Sequence, residues 1–325
     1  MKTIVTHGAN FHSDDLFAVA VLVHMLEAKG YSLTSKHPET KIKIIRTQDP
    51  EIISKGDYVV DIGGFHIPKK GRFDHHQQGG AGERTNGVPY ASFGLVWKEY
   101  GTKLTGSQYA AEWVDRHVVQ GVDAMDSGMY VYTPHMSDVY PFLFIDYLST
   151  ACDVVKAGIM ASGASSSNIA VGNARPGNKD FDKEFMRLLK VVHNVVSVFI
   201  IKSKQKEGVF KKARSVYQKS VDKRIMISDT FIPTQFEEFI APEYIEPLVF
   251  VYPDLRGGWS AKVIQKESQS YAARMLFPTE WRGRRDAELE ALTGEKGSRF
   301  CHNAGFLLVA DTKETLLRIL SKLIV

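Results

Sequence analysis

Apolar and polar positions along the chain change period several times, and each change predicts an element. Thr3 to Thr6 is a β-branched run ending at His7, which reads as a strand. Gly8-Ala9-Asn10 turns the chain, and Leu16 to Ala28 is apolar almost without a break until Gly30, predicting a helix buried on most of its surface. Lys41 to Arg46 reads as a second strand, Asp49 to Lys55 as a helical turn, and Asp57 to Asp61 as a third strand closed by Gly63-Gly64. An apolar run that needs both faces buried suggests parallel sheet, with Asp61 at its carboxyl end. Beyond the polar, glycine-rich Gln77 to Gly87 loop, Pro89 to Tyr100 and Gln108 to Met125 read as helices.

Asp138 to Ala151 is again apolar, and the small-residue stretches 161–167 and 175–178 have the composition of a linker. A long helical pattern runs from Phe181 to about Asp222, with seven basic residues along its second half, most simply a solvated face. The final hundred residues change character. Strands are predicted at Arg224 to Ile227, Leu248 to Tyr252, Trp259 to Gln265 and Phe300 to Ala310, with helices at Arg285 to Leu292 and Lys313 to Ile324. The whole is an α/β chain of three parts. Residues 1–160 form a domain with a mainly parallel sheet flanked by helices, 161–222 a linker and connecting helix, and 223–325 a smaller α+β domain with an antiparallel sheet.

Composition fits this picture: 325 residues, 44% apolar and 24% charged, with mean hydropathy −0.17, describe a soluble globular protein. A net charge of +4 permits a polyanionic substrate without requiring one. Cys152 and Cys301 stand far apart, so neither a disulfide framework nor a thiolate zinc site is expected, and a reducing, cytoplasmic compartment is the default. Met1 to Val5 runs straight into the first strand, which leaves no room for a signal peptide, and no membrane segment is expected. The composition is compatible with a homodimer.

The chemistry gathers in the N-terminal third. Asp74-His75-His76 offers one hard oxygen and two imidazole nitrogens within three residues, which suits a divalent transition metal. His7, His12, Asp14 and Asp61 add donors where strands meet helices, the usual place for a site in an open α/β sheet. Asp14 and Asp15 also suit a helix N-terminus, but capping leaves the two histidines beside them unexplained. Asp123 and Asp126, at i and i+3, share a helix face near its C-terminus, where carboxylates oppose the helix dipole and want a cation. Far downstream Arg274, Arg282, Arg284 and Arg285 surround Trp281, and His302 to Phe306 is a polar patch within a strand; guanidiniums beside an aromatic suit phosphate and base contacts.

Taken together these motifs resemble the DHH phosphoesterase superfamily and, within it, the melanocyte-proliferating-gene family, over nearly the whole chain. The resemblance rests on Thr6-His7 with Phe11 to Asp15, Arg46 to Pro50, Val59 to Gly64, Phe73 to Gln77, Val122 to Gly128, Trp281-Arg282-Gly283 with Arg285-Asp286, and His302 to Phe306. It implies an N-terminal DHH-type catalytic domain and a C-terminal substrate-binding domain. It also implies a metal-dependent hydrolase shortening single-stranded RNA or short oligonucleotides from the 3′ end. Two divalent cations, Mn²⁺ in preference to Mg²⁺, are expected. His7 and His12 would hold one, Asp14, His75 and either Asp123 or Asp126 the other, with Asp61 bridging. Asp15, Asp74 and His76 are the expected catalytic group. Arg274, Arg282, Arg285, His302, Asn303 and Gly305 are the expected substrate contacts. The chain departs from the family pattern at Gly8-Ala9-Asn10, at Asp15, where the family more often has glutamate, and after Phe306. Two other functions remain compatible: a phosphoesterase for dinucleotides, nucleoside phosphates or pyrophosphate, and a non-catalytic metal-bound regulator that binds nucleotide.

Overall fold

The computed structural model describes residues 1–133, 136, 139–161, 179–232, 240, 243–267 and 272–324. They fall into two units, Met1–Lys204 and Gln205–Val325. The linker expected at 161–178 lies outside the described residues except for Ala161, and so does Asp138.

In the first unit, strands β1 (Lys2–Thr6), β2 (Ile42–Arg46), β3 (Tyr58–Val60), β4 (His66–Ile67) and β5 (Arg72–Phe73) form one sheet in the order β2-β1-β3-β5-β4. All neighbours are parallel except the edge pair β4 and β5. Helix α1 (Ser13–Glu27) is buried from Ser13 to Val23, which accounts for an apolar run lacking helical periodicity. A short α2 (Pro50–Lys55) starts at Asp49, whose side chain accepts from the Glu51 N–H. Helices α3 (Ser92–Thr105), α4 (Gln108–Val114) and α5 (Gln120–Asp126) follow, the last two joined by a π-helical turn, Asp115–Val119. Phe17, Phe93, Trp97 and Leu148 of α6 (Phe144–Ala161) join the core of this unit.

Helix α7 (Lys179–Lys219) runs unbroken through the boundary between the units. Its first half carries Phe181, Phe185, Leu188, Val192 and Val196 into the core of the first unit, so this half packs with the N-terminal strands and helices. Its second half places Ala213 in a cluster with Met226, Phe250 and Ile264 of the second unit.

The second unit contains β6 (Ile225–Ile227), β7 (Val249–Pro253), β8 (Trp259–Val263), β9 (Ser298–Cys301) and β10 (Leu307–Ala310), ordered β6-β7-β8-β10-β9. The sheet is antiparallel except for the parallel pair β6 and β7. Helices α8 (Asp286–Thr293) and α9 (Lys313–Leu323) complete it. The single strand expected from Phe300 to Ala310 is a hairpin. Gly305 takes φ +71°, and its N–H donates to the His302 carbonyl at 2.7 Å, so the polar patch is the reversal itself.

Candidate metal centre

Because β1, β3 and β5 are parallel neighbours, their carboxyl ends deliver His7, Asp61 and Asp74-His75-His76 to one edge of the sheet. Helix α1 starts at the same edge and brings Asp14 and Asp15, both fully buried. The end of α5 supplies Asp126. Asp61 stands at the middle of this group in a left-handed conformation (φ +58°), a strained backbone for a residue with a Cβ. His7 Nε2 lies 3.3 Å from one of its oxygens and His75 Nε2 3.2 Å from the other. His75 Nε2 is also 3.4 Å from Asp126 Oδ2 and 3.8 Å from Asp14 Oδ2.

These contacts are close but mostly not hydrogen bonds. His7 Nε2, His75 Nε2, Asp14 Oδ1 and Asp15 Oδ2 are buried without a hydrogen-bond partner of acceptable geometry. Buried polar atoms seldom stay unsatisfied, and four of them around one carboxylate mark a point built to be filled. Donor atoms from three sets, His7, His12 and Asp61, then Asp61, His75 and His76, and finally His12, Asp14 and Asp126, each converge within 4.8 Å. Imidazole nitrogens with carboxylate oxygens are a donor set for a divalent transition metal, so the residues present fit the expected cations. Asp61 belongs to two of the sets.

The electrostatics carry the same message. Burial, then the charges of Asp61, Asp126 and Asp15, holds the Asp14 carboxyl well above its ordinary range. Burial and Asp61 raise Asp126 as well. Burial opposes the proton on His7, yet Asp15 and Asp61 overcome it and push the imidazole up to about 10. His75 is raised in the same way, chiefly by Asp61 against burial. Asp61 is lowered in spite of its burial, since His7 and His75 face it. The site holds more buried negative charge than its own histidines balance.

The remaining expected residues take distinct places. Asp15 accepts from the His12 N–H at 3.2 Å and sets its other oxygen 3.0 Å from His7 Nε2, so its buried carboxylate addresses His7. Asp74 accepts from the His76 N–H at 3.1 Å and lies 2.8 Å from His76 Nδ1, while the Gly64 N–H binds its second oxygen. His76 is thereby oriented with its ring largely exposed. Of the two carboxylates of α5, Asp126 is the one within the converging donors. Asp123 instead accepts from the Gly94 N–H at 2.9 Å and from Arg84 at 2.8 Å, and burial, opposed by Arg84, takes its carboxyl up to about 7.

Three supporting residues escaped the sequence reading. Ser92 donates its hydroxyl to Asp61 Oδ1 at 3.1 Å and its N–H to Asp14 Oδ2 at 3.3 Å. Arg84 joins the glycine-rich segment to Asp115 and Asp123. Arg46 lies inside a motif carrying the resemblance, but nothing in the sequence shows its targets. It donates to the Ala9 and Asn10 carbonyls and to Asp182, with its guanidinium 4.6 Å from the Phe185 ring centre.

In the second unit, Arg282, His302, Asn303 and Gly305 meet at the β9–β10 turn. A Cβ on Gly305 would stand 2.6 Å from Arg282 Nε, and one on Gly283 would stand 2.7 Å from Asn303 Oδ1. Arg282 donates to the Phe277 carbonyl, and His302 Nδ1 accepts from the Ala304 N–H. Arg285 lies over Phe300, 4.4 Å from its ring centre, beside Arg256 and Arg299. Arg274 is anchored elsewhere, on the Pro247 carbonyl. No helix among the described residues is long and apolar enough to cross a membrane.

Comparison with known proteins places these residues in a family. The MYG1 protein of Dictyostelium discoideum is 25% identical over 335 residues, 96% of this chain and 93% of that protein. Human MYG1 exonuclease is 25% identical over 344 residues, covering 96% of this chain and 82% of its own length. RecJ from Thermus thermophilus, solved in complex with Mn²⁺, aligns over 99% of this chain and 52% of its own, with 13% identity and a TM-score of 0.28. The chain thus spans about half the length of that protein. The profile MYG1_exonuc, described as Uncharacterised protein family (UPF0160), matches residues 3–324. With nearly its whole length matched, the chain belongs to the MYG1_exonuc family.

Proposed function

We propose that this protein is a metal-dependent phosphodiester hydrolase, an exonuclease that removes nucleotides from the 3′ end of single-stranded RNA. The observation that carries the reading is the set of orphaned donors around Asp61 at the carboxyl edge of the sheet. Mammalian relatives named MYG1 exonuclease support it. Two divalent cations, with Mn²⁺ favoured by the imidazole donors, would be held by His7, His12, Asp14, Asp61, His75 and Asp126. Bound there, they would lower the pKa of a water and neutralise charge on the phosphoryl oxygens.

The chain's own groups then divide the remaining work. Ser92 holds the Asp61 carboxylate in orientation, and Asp15, held by the His12 N–H, sets its other carboxylate oxygen 3.0 Å from His7 Nε2. Asp74 would accept from His76 Nδ1–H, and the ring, when it carries a second proton on Nε2, would pass that proton to the leaving oxygen and return to its neutral form. In the second unit, Arg282, Arg285, His302 and Asn303 would bind phosphates of the substrate strand.

The deciding experiment offers a 5′-labelled single-stranded RNA and a labelled dinucleotide to metal-stripped protein refilled with Mn²⁺. A ladder shortening from the 3′ end is expected. Cleavage of the dinucleotide alone would move the function to a small-molecule phosphoesterase, and turnover of neither would leave a metal-bound nucleotide-binding regulator.

A further inference from the structure

The chain leaves β3 through a turn in which Asp61, Gly63 and Gly64 all have positive φ, +58°, +103° and +75°. That turn ends at Phe65, a phenylalanine that is 64% exposed. Its position is fixed rather than loose. The Asp74 N–H donates to the Phe65 carbonyl at 3.2 Å, and the Gly64 N–H binds the Asp74 carboxylate. Asp74, whose carboxylate orients His76, therefore also holds the backbone at Phe65.

Phe65 forms one wall of a groove of about 550 Å³ whose other apolar lining includes Ile53, Val59, Ile62 and Ile67, with Lys70 also at its wall. We propose that this groove takes the terminal nucleobase of the substrate strand, which stacks on Phe65 while its phosphate lies at the Asp61 cluster. This rests on the nuclease reading. Three observations select a base over another occupant. The volume suits one small planar ligand. An exposed aromatic and a lysine lining one groove are the combination that single-stranded nucleic acids use, since every base has a π-face. The wall is also covalently continuous with the proposed metal ligand Asp61, four residues away. Stacking of this kind is tolerant of sequence, so no strong base preference is expected.

The test compares wild type, Phe65→Ala and Phe65→Trp on RNA ending in an ordinary nucleotide or in an abasic one. Wild type should show a KM about tenfold lower for the ordinary end. Phe65→Ala should lose that preference, and Phe65→Trp should keep it. Equal KM values for the two ends in wild type, or an undiminished preference in Phe65→Ala, would overturn the proposal. Independently of turnover, 2-aminopurine ribonucleoside monophosphate titrated into the protein with Mg²⁺ should be quenched by wild type and Phe65→Trp but not by Phe65→Ala. If no RNA is cleaved while this quenching persists, the nuclease reading fails and the base site stands. If quenching is absent and Phe65→Ala instead changes the sedimentation of the protein, the groove is a contact between copies and the proposal falls.

Discussion

Asp123 and Arg84 form a buried ion pair at 2.8 Å, three residues before Asp126, whose carboxylate faces His75 instead. The two aspartates of α5 thus answer to different partners. Gly94 belongs to the same arrangement, because a Cβ there would run into the Asp123 carboxylate. Replacing Asp123 by Ala leaves Arg84 buried with part of its pairing lost, a loss of about 3 kcal/mol. Asp126→Asn should do the opposite in metal-free protein. It removes a charge that crowds Asp14 and Asp61, so the melting temperature holds or rises while Mn²⁺ affinity falls. Thermal melts and Mn²⁺ titrations of both variants separate the roles; equal effects on metal affinity would refute the division.

Asp61 is the residue whose loss should matter most for the cations. Asn tolerates the left-handed backbone better than most side chains, so Asp61→Asn should keep the fold. It removes the charge shared by two donor sets, and Mn²⁺ affinity and RNA hydrolysis should each fall by more than about a hundredfold. In wild type, Mn²⁺ at about a hundred times its Kd should stabilise the protein by about 2.7 kcal/mol, a shift of several degrees. A comparable shift in Asp61→Asn would remove Asp61 from the site.

Arg46 links the His7–His12 loop to the start of α7. Its donors reach the Ala9 and Asn10 carbonyls, and Ala9 itself has φ +64°, so the guanidinium braces a strained turn between two proposed ligands. Arg46→Met should destabilise the protein by about 2 to 4 kcal/mol and weaken Mn²⁺ binding about tenfold. Arg46→Lys should recover little of either, since one ammonium cannot reproduce the fork that serves two carbonyls and Asp182 together. Full recovery of metal affinity by lysine would show that charge alone suffices there.

How far the sequence reaches depends on where each partner lies along the chain. His7 and Asp61 were legible because each directly follows a β-branched or apolar run, and parallel strands bring such ends together without further information. Asp74 to His76 stood out only by its own donor set, since Lys69-Lys70-Gly71-Arg72 ahead of Phe73 carries no strand pattern. The choice between Asp123 and Asp126 was not legible. Both share a helix face, and what separates them is Arg84, 39 residues away in a glycine-rich segment with no periodicity. The β9–β10 reversal was hidden for a local reason, since Phe300-Cys301 and Phe306-Leu307 flank it with apolar residues and only the φ of Gly305 exposes the turn. The edge strand β4 has two residues, too few to carry an alternation.

Acid should loosen the contact between α1 and α7 through His24. Its ring stacks on His193 at 3.7 Å between centres, and its Nε2 donates to the His193 carbonyl at 2.9 Å. Burial lowers the His24 pKa, and the neighbouring His193 lowers it further, against the pull of that carbonyl and of Glu27. The folded state therefore prefers the neutral ring, whereas the unfolded chain takes up a proton near the ordinary histidine value of about 6.5. The stabilising contribution is complete above that value and is lost as pH falls through it toward the lowered folded pKa, because the unfolded state then binds the extra proton. His24→Gln keeps a donor for the carbonyl and cannot be protonated. Its melting temperature should drop less than that of wild type between about pH 8 and about pH 5. Parallel pH profiles for the two proteins would mean that His24 is protonated as easily folded as unfolded, and that the stacked pair has no part in acid sensitivity.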